Sequence, residues 1–204
     1  MNLARGPTYN LPFRRRRERK TNYAKRRALL ASDIPRLVVR ITGKHTIVQV
    51  TESTPQGDRV LTSANSAELV SEYGWKGGSK DLPASYLTGL LAGIKASSNM
   101  IKEAIVDVGL RRITKGSRVF STLKGAVDSG LKIPHDQEIL PDPSRIRGEH
   151  IANYAKELSS NPDMYKKRFS KYLAVGLKPE DLPDHFEQVK KKMLESVKKE
   201  VQPA

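Results

Sequence analysis

Between Arg14 and Arg27 the chain reads RRRRERKTNYAKRR, nine basic residues and one acid in fourteen positions. Charge at that density can neither enter a core nor be neutralised by its own neighbours, so the segment needs water or a polyanion beside it. Any core must therefore come from the residues that follow. Of the formal net charge of +15, residues 1–30 carry +9, residues 31–164 carry +2 and residues 165–204 carry +4. A near-neutral middle between basic ends suits a globular domain that grips a polyanion with appendages, and both nucleic acid and an anionic membrane qualify.

A chain of 204 residues can bury one respectable core, and 37% hydrophobic residues is low for a compact enzyme of that size. The expected organisation is a basic N-terminal arm over residues 1–30, an α/β domain over 31–158 and a basic helical extension over 159–204. No apolar run approaches the roughly 20 residues of a membrane span, and residues 1–13 lack the apolar stretch of a secretory signal. A soluble, cytosolic protein without a membrane partner is expected. Absence of cysteine removes disulfides, thiolate zinc sites and a Cys nucleophile.

The arm begins with Gly6-Pro7-Thr8-Tyr9 and Leu11-Pro12-Phe13, where prolines favour extended backbone and Tyr9 and Phe13 offer stacking faces. From Arg15 to Leu30 neither proline nor glycine intervenes, which predicts a helix nucleated on a partner, with Tyr23, Arg26, Arg27 and Leu30 on one side. Nucleic-acid binding is favoured over a merely solvated tract.

A sheet is predicted next. Leu37, Val39 and Ile41 alternate with Arg36, Val38 and Arg40, the period-2 pattern of a half-buried strand, and after Thr42-Gly43-Lys44 the run His45–Thr51 returns to make a hairpin. A third strand around Arg59-Val60-Leu61 follows the Pro55-Gln56-Gly57-Asp58 turn. Arg36, Arg40, Lys44, His45 and Gln49 all fall on the outer face or tip. Such a face reads RNA or is simply the polar outside of an antiparallel sheet, and the pattern leaves both open.

Helices are expected over 64–73 and 82–96, then a short apolar strand over 103–110, central and parallel, then a helix over 119–129 stopped by Gly130. Asp142-Pro143 and Asn161-Pro162 open helices near 143–158 and 162–174, the second ended by Gly176. A last helix from about Asp184 carries Phe186, Val189, Met193, Val197 and Val201 on one face, an apolar stripe for packing, with Lys190, Lys191, Lys192, Lys198 and Lys199 largely off it. Strands followed by strand–helix alternation indicate an α/β fold with a mixed sheet packed with helices.

Catalytic signals are sparse. The loop Gly74-Trp75-Lys76-Gly77-Gly78-Ser79-Lys80 lacks phosphate-loop spacing and reads as a flexible loop. His45, His135, His150 and His185 are far apart and unpatterned, so each reads as a surface or packing residue. Asp107-Val108-Gly109 at a strand end has the look of a metal-holding aspartate in ribonuclease H-like and actin-like folds, with Asp128, Asp136, Glu138 or Asp142 as a second carboxylate. A buried or capping Asp beside a glycine turn is the commoner origin of that tripeptide.

Taken together, Gly6-Pro7-Thr8-Tyr9, Pro12-Phe13-Arg14-Arg15-Arg16-Arg17-Glu18, Lys20-Thr21-Asn22-Tyr23 and Lys25-Arg26-Arg27 closely resemble the opening of the archaeal and eukaryotic large-subunit ribosomal protein eighteen family (uL18), the 5S rRNA binders. Pro35–Arg40, Lys44-His45, Ile105–Leu110, Gly116–Phe120, Leu123–Leu131, Ile133-Pro134-His135 and Gly148–Ile151 follow in the family's order. The resemblance spans roughly residues 5–158, and the length and short C-terminal extension look archaeal.

That resemblance implies a non-catalytic, cofactor-free constituent of the cytoplasmic ribosome that binds 5S rRNA and helps attach it to the 23S-type large-subunit rRNA in the central protuberance. Neighbouring ribosomal proteins, including the universal protein five, are the implied protein partners. Carried over by residue, it favours Arg14, Arg15, Arg16, Arg17, Arg19, Lys20, Tyr23, Lys25, Arg26 and Arg27 as rRNA contacts, strengthens Arg40, Lys44 and His45, and adds Lys115 and Arg118. Tyr9 and Phe13 join them as stacking faces, and Arg36 as part of the hairpin's outer face.

Overall fold

The computed structural model describes residues 6–201, and for residues 197–201 the backbone alone. Three antiparallel strands, β1 (Arg36–Ile41), β2 (Thr46–Thr54) and β3 (Gly57–Asn65), form a meander, and β4 (Ile105–Asp107) adds in parallel to β1. The sheet order is β3-β2-β1-β4. Leu37, Val39 and Ile41 pair opposite Val50, Val48 and Thr46, so one face presents an apolar layer with the buried Thr46 hydroxyl at its end, bonded to Ser85. Arg36, Val38 and Arg40 take the other face, in the predicted parity.

Helix α3 (Ser66–Ser71) follows β3 through a capping box in which Asn65 accepts from the Ala67 amide and Glu68 accepts from the Asn65 amide. Helix α4 (Leu82–Ser98) starts with Pro83 in its first turn and lies across the apolar face of the sheet. Twelve of its seventeen residues are buried, which makes it the central helix of the core and not an amphipathic cover. Helix α5 (Arg118–Asp128) packs on its far side, and the approach is close because Gly89 of α4 faces the Thr122 backbone and Gly125 of α5 faces the Tyr86 backbone.

The apolar run at 103–110 is a correction to the sequence reading. Only three residues pair, and β4 is an edge strand beside β1, not a central one. Ile105 and Val106 are half-buried, and the chain turns away at Gly109, whose φ is +65°. A short apolar run reports burial without reporting what does the burying.

Two predicted helices are each divided. Gly148, with φ +88°, separates α6 (Pro143–Arg147) from α7 (Glu149–Leu158), and a Cβ there would come within 2.9 Å of Leu182 Cδ2. Phe169 separates α8 (Pro162–Arg168) from α9 (Ser170–Ala174), its ring buried among Tyr154, Tyr165 and Tyr172. Helix α10 (Leu182–Val201) buries Phe186, Val189 and Met193 in the same cluster as the sheet and α4, the packing expected of its stripe. The side chains of Val197, Lys198, Lys199 and Val201 lie outside the described residues.

The loop after α3 is not the flexible segment its glycines suggested. Trp75 is 2% exposed, its indole N–H donates to Gly78 O at 3.2 Å, and its ring stacks on His185 at 5.2 Å between centroids. The Lys76 amide donates to His185 Nε2 at 3.0 Å, and Tyr172 OH reaches Asp81 Oδ2 at 3.1 Å. The apolar contact of one buried tryptophan outweighs the freedom of three glycines and two lysines, so the loop is a clasp between α4 and α10.

Candidate RNA-binding surface

The basic arm forms two short helices where one was predicted. Helix α1 (Arg14–Arg17) ends at Glu18, Arg19 sits in the left-handed region at φ +53°, and α2 (Tyr23–Leu30) restarts behind Asn22, whose side chain accepts from the Lys25 amide at 3.1 Å. Asn22 competes for the backbone as a cap, and this interrupts a run that propensity alone would leave continuous. Neither helix buries a residue. Phe13 and Tyr23 bridge the break with ring centroids 5.0 Å apart.

Internal pairing is greater than the charge density suggested. Glu18 takes Arg14 at 3.6 Å and Lys20 at 3.0 Å, and Arg15 Nε donates to Thr21 Oγ1 at 2.8 Å. Arg26 reaches out of the arm, where Nη1 and Nη2 donate to Asp58 Oδ2 and Oδ1 at 2.9 and 2.7 Å. Among the described residues Arg16, Arg17, Arg19, Lys25 and Arg27 have no acidic partner.

Asp58 lies at the start of β3, beyond a register shift at Val50/Thr51, and it joins the arm to the sheet. Arg36 Nη2 lies 2.8 Å from Asp58 Oδ1, off line for a hydrogen bond, while Arg36 Nη1 donates to Asp107 Oδ2 at 2.9 Å. Asp107 Oδ1 in turn accepts from Arg40 Nη2 at 3.2 Å and from the Gly109 amide at 2.8 Å, and Arg40 Nη1 donates to Asp107 O at 2.8 Å. Burial alone would raise the Asp58 carboxyl, but the guanidiniums of Arg26 and Arg36 outweigh it and hold it below the ordinary carboxylate range. Arg26 is raised, chiefly by its hydrogen bond to Asp58.

Asp107 is therefore the capping aspartate of a glycine turn. Its oxygens are taken by two guanidiniums and an amide, an electrostatic setting opposite to that of a cation ligand. No group of three or more His, Asp or Glu side chains among the described residues is placed to hold a metal.

The outer face of the sheet, α2 and the Gly109–Ile113 turn enclose a cleft of about 1000 Å³. It brings together Arg15, Lys20, Lys25, Arg26, Arg36 and Arg40 of the predicted residues. Arg36 is a correction in one respect: at 2% exposure it is a buried ion-pair member under the floor, with nothing to offer a ligand directly. Arg16, Arg19 and Tyr23 line an adjoining depression with Leu110. Tyr9, Phe13, Arg14, Arg17 and Arg27 belong to the arm outside both hollows, the first two largely exposed.

The remaining predicted residues sit apart from the cleft. Lys44 is exposed at the hairpin tip, while His45 is half-buried with Nδ1 3.3 Å from Ser66 Oγ. Lys115 pairs with Glu138 at 2.8 Å, and Arg118 donates to Lys80 O at 3.2 Å. Sequence reasoning missed Asp58, Leu110, Arg111 and Ile113. Only the interleaving of Leu110 and Ile113 with Arg111 and Arg112 signalled a mixed basic and apolar surface.

A mixed-sheet α/β domain with a basic arm bridged to its outer face has the charge distribution of the nucleic-acid-binding class of proteins. The chain belongs to the family of ribosomal large subunit proteins 60S L5 and 50S L18, whose family profile matches residues 7–102 and 95–136. It is similar to the large ribosomal subunit protein uL18 of Caldivirga maquilingensis, 52% identical over 97% of this chain and 96% of that protein. It is likewise similar to the large ribosomal subunit protein uL18 of Thermofilum pendens, 55% identical over 96% of this chain and 100% of that protein. The family and both relatives are proteins of the large ribosomal subunit.

Proposed function

We propose that the protein binds 5S rRNA in the cytoplasmic ribosome and helps attach it to the 23S-type rRNA of the large subunit in the central protuberance, with the universal protein five among its neighbours. The observation that carries this reading is an arm with nine cations and one acid between residues 14 and 27, in which neither helix buries a residue, bridged to the domain by Arg26. Such a segment contributes little to the core and much to the field outside it.

The contacts are electrostatic and shape-directed. Arg14, Arg15, Arg16, Arg17, Arg19, Lys20, Lys25 and Arg27 neutralise phosphates, guanidiniums doing so in pairs of parallel hydrogen bonds, and Tyr9, Phe13 and Tyr23 stack on splayed bases. Arg40, at 44% side-chain exposure, joins them from the sheet, with Lys44, His45, Lys115 and Arg118 as outlying contacts. The expected experiment is deletion of residues 1–27. The domain stays folded, 5S rRNA affinity collapses, and the dependence of affinity on salt loses several units of slope. Retained tight binding at physiological salt refutes the reading.

A further inference from the structure

The cleft beneath the arm has walls that a phosphate backbone has no use for. Val60, Leu110 and Ile113 are 47%, 54% and 58% exposed, and all three line it among its cations. Large apolar side chains gathered inside a basic cleft lower the free energy only when a ligand with its own apolar surface covers them. The turn that carries two of them is held in place: Gly109 lies under the Arg40 guanidinium, the Gly109 amide is capped by Asp107, and Arg111 donates to Ile41 O at the end of β1.

The charge beneath is also unbalanced. Asp58 and Asp107 are shared by Arg26, Arg36 and Arg40, so two carboxylates face three guanidiniums, and Lys20 and Lys25 stand on the rim without a carboxylate of the cleft. An anion is the missing component. At about 1000 Å³ the cleft matches the upper end of sites that enclose a small molecule, roughly 300–1,000 Å³. A nucleotide combines the two surfaces needed, a flat ring and a phosphate.

We propose that the cleft between α2, the outer face of the sheet and the Gly109–Ile113 turn receives an unpaired nucleotide of an RNA strand, its ring against Val60, Leu110 and Ile113 and its phosphate beside Lys25 and Arg40. The inference rests on the RNA-binding reading and adds to it that part of the site takes a base out of its stack. Leu110 also lines the depression holding Tyr23, so the neighbouring nucleotide has an aromatic face to meet.

The test uses the full chain and three labelled RNAs of equal charge: a single strand, a blunt hairpin and the single strand with abasic residues. The double variant Leu110→Ser/Ile113→Ser alters two exposed side chains, and its melting temperature is compared with that of the unaltered protein. Expected is a single-strand affinity lowered about five- to a hundredfold, the effect of losing the apolar cover that two half-exposed side chains give one ring, with hairpin affinity, abasic-strand affinity and salt slope unchanged. Equal single-strand affinity in variant and parent, or an equal fall for all three RNAs, overturns the nucleotide site while leaving RNA binding standing. Failure of the unaltered protein to bind any of the three overturns the RNA reading as well.

Discussion

Arg26 and Asp58, thirty-two positions apart, form a two-point bridge in which both terminal guanidinium nitrogens donate to both carboxylate oxygens, at 2.9 and 2.7 Å. This pair ties α2 to the start of β3, and Arg36 and Asp107 extend it beneath the sheet. Arg26, expected from sequence to touch RNA, has its two terminal nitrogens committed to the protein itself. Replacing it by Gln, or Asp58 by Asn, is expected to speed amide exchange in α2 and to weaken RNA binding by roughly two- to fivefold, the range of a partly exposed ion pair worth up to about 1 kcal/mol. The two changes should not add in a double-mutant cycle. If Asp58→Asn instead tightens RNA binding, Arg26 is a phosphate contact held in check by Asp58.

Arg36 should behave as a structural residue. Truncation to Ala leaves the Asp107 carboxylate without its buried partner, a change expected to cost about 3–5 kcal/mol in urea denaturation. The folded fraction should keep its RNA affinity to within a factor of about two, because a side chain 2% exposed offers no surface to a ligand. A loss of affinity at full stability contradicts this assignment.

The clasp formed by Trp75 and His185 is expected to loosen in acid. Burial lowers the basicity of His185, with Lys76 and Lys192 adding to the effect, and its Nε2 must be unprotonated to accept the Lys76 amide. The folded chain then resists a proton that the unfolded chain takes up near pH 6.5, so stability is full above that value and falls as pH drops below it. His150 is lowered in the same direction. The contribution of His185 is therefore read as the difference between the unaltered protein and His185→Gln, which should narrow from pH 7.5 to pH 5. Parallel stability curves refute the assignment.

Gly89 and Gly125 are expected to tolerate no side chain. A Cβ at either would collide with backbone of the opposing helix, Thr122 or Tyr86 respectively. Alanine gains about 1 kcal/mol of helix propensity over glycine, but backbone cannot step aside as a side-chain end can, and overpacking costs typically 1–3 kcal/mol, occasionally more. The net sign is destabilising, measurable as a lower melting temperature for Gly89→Ala and Gly125→Ala, while Ala at exposed Gly43 leaves it unchanged.

Elements with a strong local signal were readable in advance. The alternation of Leu37, Val39 and Ile41 specified the inner face of β1, and the start of α4 at Leu82, with Pro83 in its first turn, was read correctly. Breaks were harder. Asn22, Gly148 and Phe169 each divide a helix because of a contact or cap that outweighs helix propensity. The position of β4 depended on neighbours far away in the chain, which hydrophobic periodicity does not encode.

By itself the sequence determined that residues 14–27 lie outside any core, because nine cations and one acid cannot be desolvated, and that the rest makes a mixed α/β domain. It also carried the family, through blocks spread over most of the chain. Only the tertiary structure decided which of those cations face outward. Arg36 and Arg40 share one strand face and one residue type, yet Arg36 is buried between Asp58 and Asp107 while Arg40 keeps 44% of its side chain exposed. The difference comes from two carboxylates delivered by β3 and β4. Their proximity follows from strand pairing between residues far apart in sequence, so the chain has to fold before its arginines can be told apart.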